Sequence, residues 1–86
     1  MTKFWPYAVV DEGKKKKRLQ YSYQPCRSTE ACIETIALWD EHYHMNIVDS
    51  YIDIEENGKV VKRIPVTKEW KAHIDKEILN PLSYTN

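Results

Sequence analysis

The residues of this 86-residue chain best suited to chemistry are two cysteines and a pair of histidines. Cys26 and Cys32 have five residues between them, and His42 and His44 flank Tyr43. Two thiolates and two imidazoles can complete a tetrahedral zinc site. The usual zinc patterns space cysteines about two to four residues apart and histidines about three to five apart, so neither pair fits. No metal is expected. Cys32 falls on the apolar stripe of a helix, where a reduced thiol packs as a small hydrophobe. Cys26 stands just before that helix, a place that can lower a thiol pKa. Nothing nearby supplies an oxyanion hole or a neighbouring imidazole, so a nucleophilic role is not expected. Asp40 with Glu41, and Asp49 with Asp53, are carboxylate pairs of a kind common on surfaces, and they receive no role. Two glycines cannot build a phosphate-cradling loop. The chain therefore reads as a non-enzyme that needs no cofactor.

A second constellation suits binding. Lys14, Lys15, Lys16, Lys17 and Arg18 form the one biased run of the sequence. Trp5, Tyr7, Tyr21 and Tyr23 flank it. Lysines neutralise phosphates and release counterions, and aromatic rings stack on unpaired bases. Together these nine residues would make a single-stranded DNA or RNA surface. The competing reading puts the aromatics under a helix as core and leaves the lysines to keep a sheet edge soluble.

The elements that must carry these residues are legible from period and punctuation. Trp5 to Asp11 and Arg18 to Gln24 are rich in aromatic and β-branched residues, with Gly13 and the lysines as the turn between them. Pairing Val9 with Leu19 puts Tyr7 opposite Tyr21 and Trp5 opposite Tyr23, all on one face. Pro6 lacks a ladder donor, so the first strand is expected at a sheet edge or bulged there. Ser28 is the expected N-cap of a helix over 29–43 whose stripe is Cys32, Ile36, Trp39 and Tyr43, widened by Ile33 and Ala37. Ile47 to Glu55 and Lys59 to Val66 form a second hairpin. A three-residue loop, Glu56-Asn57-Gly58, would put Val48, Ile52, Ile54, Val60, Ile64 and Val66 on one face. Thr67 is the expected cap of a final helix carrying Trp70, Ile74 and Ile78 inward. Trp39 and Trp70 are read as core anchors.

The predicted fold class is α+β in ββαββα order: a four-stranded antiparallel sheet with its helices packed on one face. Residues 1–80 make one compact domain, and 81–86 form a tail that begins where Pro81 stops the last helix. Apolar residues at 42% suffice for a soluble core, and no run reaches the roughly 18 residues of a membrane span. The first residues lack an apolar signal-peptide core, so the expected compartment is the cytoplasm. Net charge is zero, which excludes a domain that coats nucleic acid by bulk charge. The charge is nonetheless segregated: residues 1–28 carry +5, residues 29–58 carry −8 and residues 59–86 carry +3. That pattern suits a molecule that docks with a protein partner or with itself. The leading expectation is therefore a small cytoplasmic, non-enzymatic interaction domain, with single-stranded nucleic-acid binding as the alternative.

Overall fold

The computed structural model describes residues 1–66 and 69–72. In chain order the elements are β1 (Thr2–Gly13), β2 (Lys16–Tyr21), α1 (Thr29–Glu41), β3 (Ile47–Glu56) and β4 (Lys59–Pro65). Residues 69–72 are again helical. The strands make one antiparallel sheet in the order β2-β1-β3-β4. Both hairpins expected from the sequence form, and their long strands, β1 and β3, zip together from Thr2 opposite Glu56 to Val10 opposite Ile47. The α+β class and the ββαββα order hold.

That central pairing corrects the edge position expected for β1. Pro6 is tolerated for a local reason. The Phe4 carbonyl accepts from the Cys26 amide at 2.7 Å, so by strand alternation the Pro6 nitrogen also faces away from β3. The ladder to β2 stops at Tyr7 opposite Tyr21, so no partner there asks for the donor that proline lacks.

Alternation along β1 selects the core. Pro6, Ala8 and Val10 are buried with Ile52 of β3, against Cys32, Ile36 and Trp39 of α1. Val66 and Trp70 join the same cluster, so the second helical segment lies on the α1 side of the sheet. Ile36 and Ile52 have no exposed surface, and each contributes roughly 2 kcal/mol by burial. The α1 start is as expected: the Ser28 hydroxyl accepts from the Ala31 amide at 3.1 Å. Its end is earlier than expected. The chain leaves the helix at His42, and His44 adopts a left-handed conformation with φ of 54°. Tyr43, placed on the buried stripe by period, is thereby 59% exposed.

The β3–β4 turn also differs from expectation. Glu56 pairs directly with Lys59, leaving the two-residue turn Asn57-Gly58, whose φ values are 53° and 83°. Two positive φ angles define the primed turn that matches strand twist, and Asn-Gly is its preferred sequence. The register then slips between Ile54 and Glu55, because Ile54 faces Lys62 while Glu55 faces Val60. Val61 is the extra residue, and this bulge keeps Ile52, Ile54 and Ile64 on the helix side. A second slip, opposite Val9 and Val10, makes Val48 the extra residue of β3. Val48 and Val60, both expected in the core, are therefore 45% and 57% exposed. Trp70 is buried as expected. Thr67, Ile74, Ile78 and the tail 81–86 lie outside the described residues.

Candidate functional site

Because even-numbered residues of β1 go under α1, its odd-numbered residues point to the opposite face. Among the described residues no element covers that face. Trp5, Tyr7, Val9 and Asp11 of β1 lie there, beside Lys17, Leu19 and Tyr21 of β2 and Asp49, Tyr51, Asp53 and Glu55 of β3. The register lines up Tyr21, Tyr7 and Tyr51 in a row that crosses three strands and ends on Pro65 of β4. Tyr7 and Tyr51 stack at 5.1 Å between centroids, with 21° between planes. Of the described residues, α1 and Trp70 pack on the opposite, aliphatic face of the sheet and not over these aromatics.

The polar groups of this face are tied together. Arg63 donates twice to Asp53, at 2.8 Å from Nε and 3.1 Å from Nη2. Its guanidinium carbon also lies 4.1 Å from the Tyr51 ring centroid. Hydrogen bonding to Asp53 raises the Arg63 pKa, so this cation stays charged at any physiological pH. Trp5 donates from Nε1 to Glu55 at 3.2 Å, and Lys3 approaches the same carboxylate at 4.0 Å. Burial first, and the nearby Asp53 charge second, push the Tyr7 phenol above its ordinary value. Tyr51, Asp53 and Arg63 did not stand out from the sequence as site residues. The signal was present: Tyr51 alternates in phase with Asp49, Asp53 and Glu55, which the hairpin pattern already places opposite the apolar set.

The basic run divides. Lys14 and Lys15 form the β1–β2 turn, and Lys16 and Lys17 begin β2. All four are exposed, and among the described residues none of them makes an ion pair. Arg18 departs from the expected set. It points to the helix side, pairs with Glu12 at 3.3 Å and donates to Gln20 at 2.6 Å. Tyr23 also departs from its expected place opposite Trp5, because β2 ends at Tyr21. Tyr23 stands 85% exposed beyond the strand, edge-on to Tyr21 at 5.5 Å.

The cysteines and histidines are not brought together. Cys26 and Cys32 lie near the start of α1, with Cys26 Sγ 3.7 Å from Thr35 Oγ1, while His42 caps the end of the helix, roughly 15 Å further along the axis. Burial first, and the neighbouring Cys26 thiol second, push the Cys32 thiol far above its ordinary value. Among the described residues no group of three or more His, Cys, Asp or Glu could hold a metal ion. No helix there is long and apolar enough to cross a membrane. The chain matches no protein-family model, no curated protein and no solved structure.

Proposed function

We propose that this chain is a small, non-enzymatic interaction domain that works through the open face of its sheet. Its partner is protein, and a second copy of the chain is the simplest one. The observation that carries this reading is the row Tyr21–Tyr7–Tyr51 with Trp5 and Arg63 around it on the face opposite α1, which no described element covers. Tyr, Trp and Arg are the residues that dominate binding energy at the centre of protein interfaces. Covering the face would leave neither Asp53 nor Glu55 without a partner, since both are bonded within it.

Self-association is supported by what the edges disfavour. β2 presents Lys16 and Lys17, in no ion pair among the described residues, and β4 presents Lys59 and Lys62. Two basic edges repel, so copies meet face to face and not by strand addition. A row of like side chains is self-complementary across a two-fold axis. Four strands about 4.8 Å apart and roughly eight residues long span about 500 Å². Two such faces bury about 1,000 Å², the lower end for a specific interface, so the dimer is reversible. A cytoplasmic setting belongs to the same reading, and the adjacent free thiols of Cys26 and Cys32 agree with it.

Light scattering on size-exclusion fractions, from about 10 μM to 1 mM, tests the proposal. A mass that rises towards the dimer with concentration is expected. Trp5→Ala and Tyr51→Ala should abolish the rise while circular dichroism stays unchanged. A strict monomer throughout, or a dimer indifferent to both substitutions, overturns self-association through this face.

A further inference from the structure

The β1–β2 turn is built from residues that its backbone disfavours. Lys14 and Lys15 have φ of 52° and 62°, and Gly13 before them has 86°. Left-handed backbone crowds the Cβ of any residue except glycine. The same chain makes its other two-residue turn from Asn57 and Gly58, which tolerate that conformation. The lysines thus sit where folding alone would favour other residues. They project from the end of the sheet with no ion-pair partner among the described residues.

The acids nearby are already engaged. Asp11 accepts from the Gly13 amide at 2.9 Å, and Glu12 is paired with Arg18. The tip offers four exposed ammonium groups, Lys14 to Lys17, none of them in an ion pair among the described residues. About 13 Å along β2 from Lys17 stand Tyr21 and then Tyr23, whose ring is almost wholly in solvent. We infer that this hairpin binds single-stranded nucleic acid, with Lys14 to Lys17 on the phosphates and Tyr23, braced edge-on by Tyr21, stacking on a base. Strand edge and tip form one continuous track, which a flexible single strand can follow. A duplex hides the faces of its bases from such a ring. The site shares Tyr21 with the β2 end of the proposed dimer face, whereas Trp5 and Tyr51, on β1 and β3, lie outside it.

Fluorescence anisotropy with the full chain and labelled 12-nucleotide DNA and RNA strands, alone and as duplexes, tests this. Single strands are expected to bind at 50 mM salt, with a log–log salt slope between about −2 and −3 for three to four lysines. The double variant K14N/K15G keeps the turn type and removes two charges. It should lower the slope magnitude by about 1.4 and weaken binding on the order of tenfold, while remaining folded. Tyr23→Ala should weaken it about fivefold or more. No anisotropy change up to about 100 μM, or binding that K14N/K15G leaves intact, overturns the inference. So does equal binding of duplex together with no effect of Tyr23→Ala, which reduces the lysines to a general polyanion contact. Trp5→Ala, which should break the dimer, is expected to leave oligonucleotide binding in place, so the two proposals fail separately.

Discussion

The two hairpins of this protein solve one geometric problem with opposite residue choices. Both close through two residues with positive φ, and each carries a register slip near its turn. The β3–β4 hairpin uses Asn57-Gly58, which the left-handed region accepts cheaply. The β1–β2 hairpin uses Lys14-Lys15, each at a cost of roughly 1 kcal/mol. Their inner faces differ too. β4 sends Ile64 and, just beyond, Val66 towards the core, whereas β2 sends Arg18 and Gln20. One hairpin is built for stability. The other spends stability to hold charge and aromatic rings at an exposed end.

The sharpest way to break this comparison is to truncate one aliphatic residue in each hairpin. Ile64→Ala should cost about 2 kcal/mol in urea unfolding, because Ile64 packs against the core cluster. Leu19→Ala, on the open face at 45% exposure, should cost well under about 1 kcal/mol. Equal costs would mean that β2 is as deeply embedded as β4.

Exchanging the turns comes next. Putting Lys-Lys at 57 and 58 should destabilise by about 1–2 kcal/mol, wholly through the backbone, since a Cβ built on Gly58 meets nothing within 4 Å. The reverse exchange, K14N/K15G, should stabilise by about 1 kcal/mol in the same assay. Stability unchanged in both directions would remove the strain argument.

The ion pairs give a smaller contrast. Arg63→Ala leaves the nearly buried Asp53 carboxylate without its bidentate partner and should lower the urea midpoint measurably. Glu12→Ala removes an exposed pair and should cost less than about 0.5 kcal/mol, most clearly at high salt.

The weakest effect expected is on the alkaline limb. The Tyr7 phenol is held above its ordinary value of 10.0, so the folded state binds that proton more tightly than the unfolded chain. Its contribution is full below about pH 10 and fades as the pH climbs through the raised value. Urea midpoints from pH 8 to 11 should fall more steeply for the parent than for Tyr7→Phe.

Much of the scaffold could be read from local pattern. The pairing of Val9 with Leu19 and Tyr7 with Tyr21 follows from alternation, and the Ser28 cap follows from its side chain. The buried stripe Cys32, Ile36 and Trp39 follows from helical period. Errors gathered where one residue is added or a segment stops. The bulges at Val48 and Val61 move single valines without changing the alternation of their neighbours enough to be noticed. The helix stops before Tyr43 because His44 turns left-handed, and period carries no record of that. For the site, Trp5, Tyr7 and Tyr21 were found through their hairpin. Tyr51 and Arg63 belong to the other hairpin, and only the β1–β3 contact brings them alongside.

Composition and periodicity were enough to set the α+β class, the two hairpins and the first helix, because those depend on neighbours within a few residues. They left open the order of the strands and the side of the sheet the helices take. Both faces of β1 carry large side chains, and either could meet an apolar stripe. Packing settles the matter: Ala8, Val10 and Ile52 close against α1 without polar atoms to satisfy. The polar tips on the other face have partners of their own: the Trp5 indole N–H donates to Glu55, and Arg63 bonds Asp53 while lying against the Tyr51 ring. Among the described residues the aromatics therefore lie on the face opposite α1, a placement that local pattern leaves open and packing decides.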